Sequence, residues 1–310
     1  MRASVRVPAT SANLGPGFDS FGLALALHDT FSAEPAERWA VEIVGEGAHC
    51  LPTGQSSAVV VAMKRAMAEA GETAAAAHVF CDNRVPTGRG LGSSAAAIVG
   101  GLMLGFALAR ESAERERVFE LAAEIEGHPD NVAAAIFGGF TVCWTEDGRP
   151  RCERLGPAGG LAVVYVPPCG ELRTSESRRL LPESVPHADG AFNLSHAALL
   201  ASGLALGRAD LVRSGLADRL HEQYRVAAVP DFVAVRDALV EAGADGAALS
   251  GAGPGVVGLV TGADDPLAYQ RAEAVAHKAA TLLVGSEERG TPIALAVDRE
   301  GAVAESGAQA

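Results

Sequence analysis

The chain has 310 residues, of which 48% are hydrophobic and 20% charged, a balance that supports ordered cores and excludes long disordered tracts. Its net charge of −13 excludes a broad phosphate-tracking surface, so neither nucleic acid nor an anionic membrane is an expected partner. The five cysteines, Cys50, Cys81, Cys143, Cys152 and Cys169, are odd in number and form no C-x-x-C pair; they read as reduced thiols of a cytoplasmic protein rather than a disulfide framework or a zinc site.

The first residues lack the apolar run of a signal peptide. Ser4 to Ala9 predicts a short strand, followed by a loop of turn formers, TSANLGPGFDSFG, and a second apolar run from Leu23 to Leu27. Another strand pattern lies within Phe31 to Val44, clearest from Trp39 onward. A helix is expected from about Ser56, with Ser57 as its cap and Gly71 as its stop. His78 to Asp82 is a strand that feeds a glycine-rich loop, and Ser94 to Arg110 is an apolar helix too short to span a bilayer. Glu114 to Glu126 predicts an amphipathic helix ending in EGHPDN. Val132 to Phe137, Gly138-Gly139 and the strand FTVCW then lead to a polar hairpin at Glu146-Asp-Gly148.

After the glycine pair at 159 and 160 the run LAVVYVPP opens a second unit, which divides the chain into 1–157 and 158–310. Helices are expected around Ala191 to Leu206, Leu211 to His221 and Phe232 to Ala242. A strand from Gly246 to Ser250, the turn GAGPG, a strand from Val256 to Thr261, a helix over Pro266 to Val284 and a strand from Pro292 to Val297 follow. Helices alternate with strands in both halves, but two connections are hairpins, so two α+β sandwiches are predicted rather than one doubly wound parallel sheet.

The stretch VPTGRGLGSSAAA, Val85 to Ala97, joins the glycine loop to the apolar helix. Gly88, Gly90 and Gly92 allow positive φ and close approach of backbone to a ligand, while Ser93 and Ser94 stand where a helix begins. Free amides and the helix dipole there suit a phosphate, and the hydroxyls add donors or an oxygen for Mg²⁺. The alternative is a capped helix start with a flexible lead-in. No lysine precedes the hydroxyl, so this is not the common P-loop, and the glycine spacing is wrong for a dinucleotide fingerprint.

Two further segments have the composition of ligand loops: Pro8-Ala-Thr-Ser-Ala-Asn-Leu-Gly-Pro-Gly-Phe-Asp19 and Ser250-Gly-Ala-Gly-Pro-Gly255. Together, in this order and at these distances, the three resemble the signature motifs of the GHMP small-molecule kinases. PATSANLGPGFDSFG is similar to the homoserine kinase form of the first motif, as are RTSESRRLLPESVPHADGAFNLSHAALL and DRLHEQYR in the second half, so the resemblance covers essentially the whole chain. It implies an N-terminal domain of the ribosomal-protein-S5-like type, a C-terminal ferredoxin-like domain, and an active site in the cleft between them. It also implies ATP and Mg²⁺ as cofactors, a small amino-acid acceptor, L-homoserine, and a homodimer.

By the same resemblance, ATP binds along Pro86, Thr87, Gly88, Arg89, Gly90, Leu91, Gly92, Ser93, Ser94, Ala95 and Ala96, and Ser94 and Glu126 share the Mg²⁺. Asn13, Asp19, His128, Asp130, Asn131, Arg178 and Arg225 fall to the substrate, with Asn131 near the reacting hydroxyl and Asp19 facing the α-amino group. Arg178 and Arg225 end the T-x-x-x-R and H-x-x-x-R patterns that begin at Thr174 and His221, and a guanidinium fork suits a carboxylate. Ser94, Glu126 and Asn131 are thereby the catalytic set. Ser57 stands where relatives carry an asparagine near the adenine, and Gly255 where they often carry a hydroxyl, so neither contact transfers. Two rivals stay open: a kinase of the same family for threonine or pantoate, and a catalytically silent binding relative.

Overall fold

The computed structural model describes residues 2–72, 76–156, 159–285 and 289–305. The predicted boundary between 157 and 158 falls on residues outside that description.

The first half is built on a sheet whose spine is one long strand. β1 (Ala3–Ala12) pairs antiparallel with β2 (Phe21–Pro35), with a shift of register between Pro8 and Ala9. β3 (Ala40–Gly45) runs parallel to β4 (Ala77–Asn83), and β4 pairs antiparallel with the second part of β2. The hairpin of β5 (Phe140–Glu146) and β6 (Arg149–Leu155) joins the first part of β2.

Sequence patterning had broken β2 at His28-Asp29-Thr30, yet the strand is continuous. Its polar groups are satisfied inside the sheet: Asp29 Oδ1 accepts the Arg84 and Val85 amides at 2.7 and 2.8 Å, and the His28 ring lies 2.6 Å from Asp298. A buried polar residue with partners costs little, so the interruption in hydrophobicity does not end the strand.

Four helices cover this sheet: α1 (Ala58–Glu69), α2 (Ser93–Leu108), α3 (Arg115–Glu126) and α4 (Asp130–Phe137). Ser57 holds the N-cap position of α1 but makes no side-chain cap bond, contrary to expectation. α2 packs against α1 through Gly101 and Gly105, where a Cβ would press on the Val59 and Met63 carbonyls. Only glycine lets the two backbones come this close.

The second half begins with β7 (Gly160–Val166), buried along its whole length, which is why LAVVYV reads as an unbroken apolar run. α5 (Thr174–Arg178), α6 (His187–Leu206), α7 (Ala209–Gly215), α8 (Glu222–Arg225) and α9 (Phe232–Ala242) follow. The helix predicted to run to His221 stops at Gly215, because the Asp218 carboxylate accepts the Leu220, His221 and Glu222 amides and starts α8 instead. β8 (Gly246–Leu249), β9 (Val256–Gly262), α10 (Asp265–Leu282) and β10 (Ile293–Ala296) complete an antiparallel sheet of order β10-β7-β9-β8.

One face of that sheet packs on α9 and α10 through Val164, Leu239, Val260 and Ala272. The other, with Val163, Tyr165 and Val257, shares a core with Leu14, Leu23 and Phe140 of the first half and with Leu200 and Leu204 of α6. The interface is therefore a fused apolar core rather than a hinge. The chain then returns to the first sheet as β11 (Val303–Glu305), which pairs with β1 from Ser4 to Arg6. Neither β11 nor α5 was legible in the sequence.

Candidate active site

The three glycine-bearing loops meet where the two halves join. Ser250 Oγ lies 2.9 Å from Ser11 Oγ and 2.5 Å from the Gly90 carbonyl, so one buried hydroxyl touches the first loop and the phosphate loop from the third. Asn13 bridges to Ser250 through the backbone, donates from Nδ2 to the Gly251 carbonyl at 2.7 Å and accepts the Asp19 amide at 2.9 Å. Asn13 and Asp19 both hold positive φ, 66° and 55°, a conformation that Asn and Asp tolerate best among non-glycine residues.

α2 starts at Gly92, which has φ 69° and offers no side-chain cap. Its first amides thus have no partner within the helix, and Ser93 and Ser94, which carry two of them, line the cavity. Gly92 is required by packing as well as by φ, since a Cβ there would collide with Thr10 Oγ1.

These elements enclose a cavity of about 220 Å³. Asn13, Asp19, Gly88, Gly90, Leu91, Gly92, Ser93, Ser94, Glu126, His128, Asp130, Asn131, Arg178 and Arg225 all line it. The structure therefore brings together most of the residues that the sequence singled out. Pro86, Arg89, Ala95 and Ala96 are not among its walls. The side chains of Ala95 and Ala96 are fully buried in the first core. Arg89 presents its carbonyl to Tyr165 Oη at 2.8 Å, and its Nε is buried without a partner. Thr87 and Ser57 line a neighbouring, more apolar cavity of about 460 Å³ that shares Gly88, Ser93 and Ser94 with the first. A side chain at Gly255 would press on the Arg89 carbonyl and the Tyr165 ring, 2.5 and 2.6 Å from its Cβ, which accounts for the missing hydroxyl there.

The cavity carries both signs of charge. Ser94 Oγ donates to Glu126 Oε2 at 2.9 Å, joining the start of α2 to the end of α3. His128 Nδ1 lies 2.8 Å from Asp130 Oδ1, which also accepts the Asn131 amide at 2.8 Å. Burial pulls the His128 imidazole down, but the hydrogen bond and charge of Asp130, with the charge of Glu126, outweigh it, and the net displacement is upward. Opposite, Arg178 grips Asp19 with two hydrogen bonds of 3.0 and 2.6 Å, which hold the guanidinium more firmly protonated.

Arg225 is 1% exposed. Its Nη1 lies 2.9 Å from His221 Nδ1 and donates to the Gly251 carbonyl at 3.2 Å, while its Nε is buried without a partner. Burial, followed by the neighbouring Arg178 charge, lowers its pKa to about 10, so it stays cationic at neutral pH. The Phe18 ring centroid lies 5.6 Å from the guanidinium carbon of each arginine.

Three lining residues, Leu172, Arg173 and Thr174, were not among the site residues expected from the sequence, nor was Thr10, which stands behind the wall. Thr10 Oγ1 donates to Asn131 Oδ1 at 2.8 Å and fixes that amide. Leu172 and Arg173 enter the cavity because the Leu172 amide donates to the Gly88 carbonyl at 3.0 Å, folding the second half over the phosphate loop. Gly251 to Gly253 of the third loop also line the cavity. Thr10 lay inside a motif already read as a ligand loop, whereas nothing in the local pattern marked Arg173.

The GHMP kinases N-terminal domain model matches residues 57–139 and the GHMP kinases C-terminal model residues 197–279. A homoserine kinase of Clavibacter michiganensis subsp. michiganensis is 41% identical over 304 residues, covering 97% of this chain and 93% of that protein. One from Streptomyces coelicolor is 43% identical over 259 residues, covering 82% and 83%. Among solved structures, homoserine kinase from Cytophaga hutchinsonii superimposes with a TM-score of 0.86 at 24% identity over 98% of this chain and 97% of that one. A putative homoserine kinase from Listeria monocytogenes gives 0.79 at 30% identity over 99% and 100%. No helix among the described residues is long and apolar enough to cross a membrane.

Proposed function

The chain belongs to the GHMP kinases, ATP-dependent phosphotransferases that act on a hydroxyl group, and within them we propose that it phosphorylates the side-chain hydroxyl of L-homoserine to give O-phosphohomoserine for threonine synthesis. The observation that carries this reading is one cavity lined by the carboxylates of Asp19 and Asp130, the guanidiniums of Arg178 and Arg225, and an uncapped helix start. An amino acid is a zwitterion and needs both signs. A nucleotide phosphate needs the amides.

In this reading the first amides of α2, with Ser93, cradle the β- and γ-phosphates. Ser94 and Glu126 fit a Mg²⁺ ion: a hydroxyl and one carboxylate, 2.9 Å apart on the cavity wall, are hard oxygen donors, and Mg²⁺ takes its other ligands from phosphate and water. When bound, the ion neutralises charge on the transferring group.

Arg225 and Arg178 receive the α-carboxylate, and Asp19, with Asp130 and His128 nearby, receives the α-ammonium. Asn131, fixed by Thr10, orients the hydroxyl. Phosphoryl transfer asks chiefly for positioning and charge stabilisation, so no strong base is assigned. Asp130 Oδ1 is already occupied by His128 and the Asn131 amide, which suits a binding role better than proton abstraction. A cytoplasmic location and a homodimer follow from the same family reading.

Coupled ADP release with Mg-ATP and L-homoserine, L-threonine, pantoate or mevalonate tests the proposal. A homoserine-selective rate is expected. ADP release with another acceptor alone would overturn the substrate, and no release with any would leave a silent binding protein.

A further inference from the structure

Cys143 on β5 stands directly opposite Cys152 on β6 in the antiparallel hairpin. The Cys143 amide donates to the Ser20 carbonyl at 2.8 Å, and its own carbonyl accepts from Ser20 Oγ at 2.7 Å. Both backbone groups of Cys143 therefore face β2, and neither is shared with Cys152. The two cysteines form a non-hydrogen-bonded pair, the arrangement in which Cα atoms lie about 4.5 Å apart and side chains approach most closely. That spacing falls within the roughly 4.4–6.8 Å that a disulfide spans. Cys143 is 3% exposed, whereas Cys152 is partly open to solvent.

The buried thiol has a second partner. Cys143 Sγ donates to the Pro129 carbonyl at 3.7 Å, immediately before Asp130, while its backbone holds Ser20, immediately after Asp19. One residue thus braces the chain beside Asp19 and beside Asp130, two of the acidic groups that line the cavity.

We propose that Cys143 and Cys152 are a redox modification site, a cross-strand dithiol that closes to a disulfide when a peroxide reaches Cys152, and that closure withdraws the Cys143 proton from Pro129. The Cys152 thiolate attacks one peroxide oxygen; the O–O bond breaks, hydroxide leaves as water, and Cys152 becomes a sulfenic acid. Cys143 sulfur then attacks Cys152 sulfur, the S–O bond breaks, and the hydroxyl departs as a second water with the Cys143 proton. Two thiols supply the two electrons that the peroxide takes up. The Pro129 carbonyl loses its donor, and the segment carrying His128, Asp130 and Asn131 loses a brace. The effect on the acceptor rests on the proposed function; formation of the disulfide does not.

The full chain is treated with hydrogen peroxide, alkylated without reduction, digested and weighed. A peptide linking Cys143 to Cys152, cleaved by dithiothreitol and absent from Cys152→Ser, is expected. The oxidised protein is then expected to show an acceptor KM at least about threefold higher with the Mg-ATP KM unchanged, reversed by dithiothreitol and not seen in peroxide-treated Cys152→Ser. Linkage to Cys50 or Cys169 instead, or Cys152 passing to sulfinic acid with no link, overturns the site. A disulfide with an unchanged acceptor KM overturns the bracing role. Absence of any acceptor activity before oxidation refutes the homoserine reading while the mass measurement still decides the disulfide.

Discussion

Replacing Arg225 with methionine removes a cation that is almost completely buried but keeps most of its volume. If Nη2 and Nε receive the acceptor carboxylate, the loss is that of one partner from a buried, hydrogen-bonded charge pair, about 2–5 kcal/mol. At 1.4 kcal/mol per decade, this corresponds to a rise in homoserine KM of roughly 30-fold to several thousandfold. Arg178→Met provides the internal comparison. Its side chain is 35% exposed, so solvent screens its interactions, and the loss of charged hydrogen bonds worth about 1.5–3 kcal/mol sets an upper range of roughly 10- to 150-fold. Stability should move less than affinity in Arg225→Met. The Gly251 carbonyl keeps Asn13 as a donor, and only His221 Nδ1 loses its partner, costing about 1–3 kcal/mol. The assay is coupled ADP release with homoserine varied at saturating Mg-ATP, beside a thermal melt. A change in homoserine KM under threefold in a folded Arg225→Met protein, or an equal rise in the ATP KM, refutes the carboxylate assignment.

Glu126→Gln should raise the Mg²⁺ concentration for half-maximal rate at least tenfold, read by titrating Mg²⁺ at fixed ATP, with the homoserine KM little changed. Gly92→Ala places a Cβ at φ 69° against Thr10, so about 1–2 kcal/mol of backbone strain joins a steric clash; a lower Tm and weaker ADP binding by calorimetry are expected. For His128, the folded pKa lies above the unfolded one, so the native state binds more protons between them, and the stabilisation is complete below about 6.5 and fades as pH rises through the folded pKa. The Tm difference between wild type and His128→Gln should accordingly shrink from pH 6 to pH 9, and a constant difference argues against the Asp130 pairing.

Most of the cavity was legible because its groups sit in short motifs with constrained backbone. Glycine loops, a helix start with two serines and an H-x-D-N segment announce themselves within a dozen residues. What was not legible depends on partners far away in sequence. His28 and Asp29 looked like a break in a strand because their satisfying groups, Asp298 and the Arg84 and Val85 amides, belong to other segments. Arg173 reaches the cavity through the bond from Leu172 to Gly88, and Asp218, whose carboxylate gathers the amides of Leu220, His221 and Glu222, reads locally as an ordinary acidic residue. Ala95 and Ala96 show that a motif holds residues for packing as well as for contact: their side chains belong to the first core, and letters alone do not separate that from a role for their backbone.

The pairing of β11 with β1 sets a condition on biosynthesis. Ser4 and Glu305 are partners in the sheet although 301 positions separate them, so β1 leaves the ribosome with one side unpaired and waits for β11. An unpaired strand is a template for pairing with other chains, so a truncated product ending after the first half would carry an adhesive edge. Severing the gene between the halves should therefore yield insoluble fragments rather than two independent folding units, despite the two separate sheets.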